Sequence, residues 1–193
     1  MSTIFFTRLT PNFNDWDRPS GIDGKCHSAN PLNPLYEEIN GFGWEEWLFQ
    51  EYLNNIDNPD YTCNGFIQAF NGINEDLNFL KRLYLFTKVC NNEIGVVPGC
   101  YYIGYIDNVR RIGPFTKDEG NVRNDLQRVG INHKDFLPML QCAFNISFKV
   151  KDVHLGNGFV FDRPVALNRG QYRFALYNLT RHHNFLIAIN NYL

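Results

Sequence analysis

The stretch Tyr101-Tyr102-Ile103-Gly104-Tyr105-Ile106-Asp107-Asn108-Val109-Arg110-Arg111-Ile112 carries the fold class. Aromatic and β-branched residues fill it, and such residues suit a pleated, half-buried surface. It reads as the clearest strand of the chain, with Gly104 as a bulge or a point of close backbone approach. Upstream, Leu83-Tyr84-Leu85-Phe86-Thr87-Lys88-Val89 reads as a second strand. Downstream, Ala143-Phe144-Asn145-Ile146-Ser147-Phe148-Lys149-Val150 alternates apolar and polar residues, as a half-buried strand does. Residues 3–9 and 172–179 add two more strands, and short ones flank Pro164. Helical patterns cover 44–54, where Trp44, Trp47 and Leu48 share one face, and 117–141, broken near Gly130. A C-terminal helix is expected from His183 to Leu193. Regular βαβ alternation and a Gly-rich nucleotide fingerprint are both absent. The expectation is an α+β domain whose mixed or antiparallel sheet is joined by irregular segments and flanked by short helices.

With 193 residues, 44% hydrophobic, 20% charged and 16% aromatic, the chain fits one domain, 1–193. A long insert, at about 10–80, separates the first strand from the main sheet. Its opening part, 10–34, is rich in Pro, Gly, Asn, Asp and Ser and reads as a long loop. No run approaches the roughly 20 apolar residues of a membrane span, and the start does not read as a signal peptide. Composition excludes collagen-like, coiled-coil and disordered classes. Five widely spaced cysteines without a C-x-x-C pair point to reduced thiols and a cytoplasmic setting.

Catalytic chemistry finds no motif. There is no G-x-S-x-G, no pair of Cys/His doublets at zinc spacing, and no Asp…Glu-x-Lys arrangement of a metal nuclease. His182-His183-Asn184 lacks the spacing of an HNH nuclease. No catalytic residue, metal site or cofactor is assigned. A metal-dependent nuclease using Glu45 and Glu46 stays open as an alternative.

The net charge of −2 hides an asymmetry. Residues 1–100 carry 6 Lys/Arg against 13 Asp/Glu, and residues 101–193 carry 12 against 7. From Cys26 to Leu80 there are nine carboxylates and no Lys or Arg. A nonspecific basic DNA coat is excluded, while a focused basic face is allowed. The acidic 26–80 segment could alternatively dock a protein partner.

Three elements in order carry a resemblance. They are Ile4-Phe5-Phe6-Thr7-Arg8-Leu9 followed by Asp15-Trp16-Asp17-Arg18-Pro19; the aromatic-acidic Gly41-Phe42-Gly43-Trp44-Glu45-Glu46-Trp47-Leu48-Phe49; and the Tyr101–Val109 strand, with Tyr172-Arg173-Phe174-Ala175-Leu176-Tyr177 closing the chain. This order resembles the PUA-like superfamily with its EVE, YTH, ASCH and SRA branches. The resemblance implies a sheet curled into a β-barrel with flanking short helices. It also implies recognition of a modified base, in DNA rather than RNA, by base flipping in a restriction or defence setting. A fused or partner nuclease is the implied companion.

Such a reader needs aromatic walls, polar groups for the base edge and cations for phosphate. The candidates for the base pocket are Trp16, Asp17, Asn40, Phe42, Trp44, Glu45, Trp47, Tyr101 and Tyr105, with Glu46 beside them. The phosphate candidates are Arg18, Lys25, Arg110, Arg111, Lys117, Arg123, Arg128, Arg169 and Arg173. The competing reading of Trp44 and Trp47, three apart on a helix, is that they anchor the core. Arg110 and Arg111 are adjacent on a strand, so they point to opposite faces.

Overall fold

The computed structural model describes residues 4–25, 36–72, 77–88, 100–115, 119–132, 144–156, 160–161, 177–178 and 187. Its strands are β1 (Ile4–Arg8), β2 (Thr62–Gly65), β3 (Phe79–Lys88), β4 (Cys100–Phe115), β5 (Phe144–Lys149), β6 (Val153–Leu155), β7 (Val160–Phe161) and β8 (Tyr177–Asn178). Three short helices, α1 (Tyr36–Asn40), α2 (Gln50–Asn54) and α3 (Glu119–Arg128), flank them. The class is α+β, as expected. The sheet is mixed: its main path runs β2-β5-β4-β3-β1-β8, with β1 parallel to β3 and the other pairs antiparallel. Among the described residues β2 and β8, at the two ends of this path, do not pair, so the sheet is open.

The long central strand organises everything else. One edge of β4 is taken by β3 from Cys100 to Arg110. Its other edge is taken in turn by β5, β6 and β7. β5, β6 and β7 therefore pair with β4 in turn, each antiparallel to it. Strict alternation along β4 slips twice. Ile103, Ile106 and Val109 all enter the main core, although they are three apart rather than two. The first slip coincides with Gly104, at φ 152°, where the β3–β4 register shifts. The second coincides with Asn108, a non-glycine residue at φ 54°. Left-handed residues bend a strand and re-aim the side chains beyond them.

The expected helix over 44–54 is divided into a 3-10 turn, Trp44–Trp47, and α2. The division has a packing cause. Glu45, Glu46, Trp47, Leu48 and Phe49 are all buried, and no single stripe of a regular helix can bury five consecutive residues. The expected helix over 117–141 is realised as α3. Gly130, at φ 75°, closes it with bonds from Gly130 N–H to Gln127 O and from Ile131 N–H to Leu126 O, a Schellman ending. Of the two short strands expected around Pro164, the first is realised as β7, while the second, residues 133–141 and the expected C-terminal helix apart from Ile187 lie outside the described residues.

Among the described residues, two apolar clusters hold the fold. The larger joins Leu83, Ile106 and Ile146 of the sheet to Trp16, Leu48 and Phe70. The smaller joins Phe42 and Trp47 to Val122 and Leu126 of α3. Residues from the 10–80 segment thus pack against the sheet. No helix among the described residues is long and apolar enough to cross a membrane.

Candidate functional site

The break between β5 and β6 creates an open polar groove on the sheet. At Lys149 the chain leaves β4 and makes a 3-10 turn, Val150–Asp152, before rejoining it as β6. The turn's backbone is satisfied elsewhere: Val150 N–H donates to Tyr61 O at 3.1 Å and Lys151 N–H to Pro59 O at 3.0 Å. Opposite the break, left-handed Asn108 donates from Nδ2 to Asp152 Oδ1 at 2.9 Å. The two departures leave a groove of about 500 Å³, with Thr62, Asn108, Arg110, Ser147, Lys149 and Lys151 in its wall. Thr62 stands opposite Lys149, and Arg110 opposite Ser147, in the strand register. Three cations, two hydroxyls and an amide therefore converge. The acids beside them are Asp152, in the wall, and Asp60, whose Oδ1 accepts from Lys151 at 2.7 Å and from Lys149 at 3.2 Å. These two hydrogen bonds, Lys151's first, hold the Asp60 carboxyl below its ordinary pKa.

A second polar cluster begins one residue along β4. Asp107 takes a bidentate contact from Arg82, at 2.7 and 2.9 Å. The Arg82 guanidinium lies 4.0 Å from the Tyr105 ring centroid, and His154 stacks on the same ring at 4.4 Å. Tyr84 and Tyr102 continue the aromatic row. Tyr105 is half-buried and His154 exposed, while Tyr84 and Tyr102 are buried.

The structure redistributes the residues singled out from the sequence. Trp16, Phe42 and Trp47 are core residues, not pocket walls. Trp16 donates from Nε1 to Thr10 O at 2.9 Å, and Trp47 donates from Nε1 to Asp125 Oδ2 at 2.9 Å. Trp44 and Asn40 are half-buried, as is Asp17, which pairs with exposed Arg18 at 2.8 Å. Glu45 is buried as well. Lys25, expected to meet phosphate, is buried with Glu46 at 2.6 Å. Arg123 and Arg128 are exposed on α3, Arg111 is half-buried, and Arg110 lines the groove. Tyr101 belongs to β4, but its side chain, with Lys117, Arg169 and Arg173, lies outside the described residues.

Lys149 and Lys151 were not among the phosphate candidates. Two signals mark them: Lys149-Val150-Lys151 ends an alternating strand, and Asn108 interrupts a run of strand formers on its partner.

The buried acids are engaged by the protein itself. Glu45 Oε2 accepts from the Thr10 N–H at 3.0 Å and the Thr10 hydroxyl at 3.1 Å, and Oε1 accepts from the Gln68 N–H at 3.1 Å. Glu46 accepts from Lys25, Asn12, Ser20 and Gly43. These contacts tie the end of β1 and the first loop to the Trp44–Trp47 turn. Among the described residues no group of three or more His, Cys, Asp or Glu side chains is placed to hold a metal ion.

Burial pushes the Glu45 carboxyl up to about 7, against an ordinary 4.5, although its hydrogen bonds and nearby Arg8 pull the other way. The folded state therefore holds a proton here that the unfolded chain has released. This group's contribution to stability is complete below about 4.5 and declines as pH rises through about 7. Glu46 is raised by burial too and acts with the same sign. Urea unfolding across this window should show stability falling with pH, and Glu45→Gln should flatten the slope. An unchanged slope in the variant would remove Glu45 from this role.

No family model, no curated protein and no solved structure matches the chain.

Proposed function

We propose that this domain binds nucleic acid, holding the phosphate backbone along the groove between β4, β5 and β2. The observation that carries the reading is the convergence of Arg110, Lys149 and Lys151 with Thr62, Ser147 and Asn108 in one open groove. Lysine, arginine, hydroxyl and amide groups are the side chains that contact phosphate oxygens in such interfaces. The same reading takes the sheet as part of a PUA-like barrel. Its support is the set of bending devices along β4: the Gly104 bulge, left-handed Asn108 and the register shift between Arg111 and Phe115. The base to be recognised is a modified one, in DNA, within a restriction or defence setting. With Trp16, Phe42 and Trp47 in the core, stacking falls to the exposed ring of His154, which Tyr105 backs, next to the groove along the chain. Base–aromatic stacking contributes about 1–3 kcal/mol per base.

Fluorescence anisotropy with labelled DNA duplexes, with and without 5-methylcytosine, tests both parts. Affinity for all duplexes should fall steeply with salt. Arg110→Ala should weaken binding uniformly across sequences and reduce the salt slope by about 1. Tyr105→Ala should erase the preference for the modified duplex while leaving backbone binding. Salt-independent binding, or an Arg110→Ala protein that binds like wild type, would defeat the groove reading. Equal affinity for both duplexes would defeat the modified-base reading alone.

A further inference from the structure

Asp60 engages two of the cations that line the groove. Its Oδ1 accepts from two ammonium groups at once, Lys151 at 2.7 Å and Lys149 at 3.2 Å. Both lysines line the groove, and Asp60 reaches them from the turn before β2. That turn is fixed, because Pro59 O and Tyr61 O accept the backbone N–H groups of Lys151 and Val150, and Tyr61 N–H donates to Asn58 O at 3.0 Å. The lysines and the carboxylate are therefore held together by backbone pairing, not by their charges alone. All three side chains are exposed, at 44%, 51% and 68% for Lys149, Lys151 and Asp60. Exposed pairs of this kind add little stability, so a competing anion can replace the carboxylate at small cost.

We infer that Asp60 is a built-in competitor for the groove, a carboxylate that occupies the two-lysine clamp until a phosphodiester oxygen displaces it. The inference rests on the proposed nucleic-acid reading and deepens it. It gives the clamp a ligand chemistry, one anionic oxygen shared by two ammoniums. It also gives the domain a means of lowering its affinity for any backbone that brings no further contacts. Weak phosphate binding by the groove alone would then leave discrimination to the base.

The test measures a labelled oligothymidine binding to the full chain by anisotropy at fixed salt. Asp60→Asn removes the charge and keeps the size, on an exposed turn, and an unchanged melting curve confirms folding. It should bind about three- to tenfold more tightly than wild type, with a steeper salt dependence. Asp57→Asn removes the same charge from an exposed neighbour and controls for long-range attraction. The gain from Asp60→Asn should disappear when Lys149 and Lys151 are both alanine. A gain no larger than that of Asp57→Asn overturns the inference, and so does a gain that survives loss of both lysines. If wild type binds with salt dependence and loses affinity on Arg110→Ala, yet Asp60→Asn changes nothing, only this inference fails. If no variant binds at all, the inference falls together with the reading beneath it.

Discussion

Lys25→Met is expected to destabilise the domain by roughly 3–5 kcal/mol, the range for removing one partner of a buried ion pair. Lys25 and Glu46 are fully buried, with Nζ 2.6 Å from Oε2, and Nζ also donates to Pro11 O at 3.1 Å. Burial pulls the lysine below its ordinary pKa and pushes the carboxyl above its own. Four donors converge on Glu46, which suits a carboxylate rather than a neutral acid. Methionine fills the space of the lysine stem but leaves that charge without the ammonium that faces it. Glu46→Gln should also be costly, since an amide nitrogen would face one of the N–H or ammonium donors. The double variant should cost less than the two singles together, because removing both partners leaves no stranded charge. Urea unfolding of the four proteins gives the coupling. Additivity within a few tenths of a kcal/mol would show that the pair is not a unit.

The same pair shows why part of the molecule could be read from its sequence and part could not. Local pattern sufficed where one residue type has one physical use. Gly104 in a run of strand formers reads as a bulge or a close approach, and it is both. Gly130 reads as a helix end and closes α3. The strands around Tyr101, Leu83 and Phe144 follow from β-branched and aromatic content.

The candidate site depended instead on which residues meet in space. A tryptophan in a polar loop looks like a pocket wall, but Trp16 has a backbone carbonyl for its N–H and a core for its ring. A lysine in a turn looks solvated, but Lys25 faces Glu46, 21 residues away. The cation-free stretch 26–80 was suggestive of an acidic surface. Two of its acids, Glu37 and Glu46, instead draw partners from before it, Arg8 and Lys25. The groove is assembled from β2, β4, β5 and the turn after β5, so no contiguous motif could announce it. The two local clues, Lys149-Val150-Lys151 at the end of a strand and an asparagine within a run of strand formers, take their meaning only from the break in the partner strand.

Gly104→Ala is expected to be the most damaging single methyl group on the sheet. The residue sits at φ 152°, a backbone region that side chains other than glycine's rarely adopt. A Cβ there would press into the His154 carbonyl oxygen and lie 2.9 Å from Leu155 Cα. Both obstacles are backbone, so no rotamer change relieves them. Either β6 moves off β4 or the bulge is rebuilt, and overpacking with backbone shifts costs typically about 1–3 kcal/mol before the strain at φ is added. Displacing β6 would also break Gly156 N–H to Ile103 O, at 2.8 Å, and unstack His154 from Tyr105. We expect a loss of about 3 kcal/mol or more in urea unfolding. Faster amide exchange should be concentrated at Tyr105 and His154, the pair that faces across β4 and β6, with β1 protected as in wild type. If β6 moves as a unit, the groove should suffer too, because Asp152 and Lys151 precede it directly. Oligonucleotide affinity would then fall in Gly104→Ala although the residue itself lies outside the groove wall. A variant within about 0.5 kcal/mol of wild type would mean that β6 gives way freely and that the Gly104 bulge does not set its position.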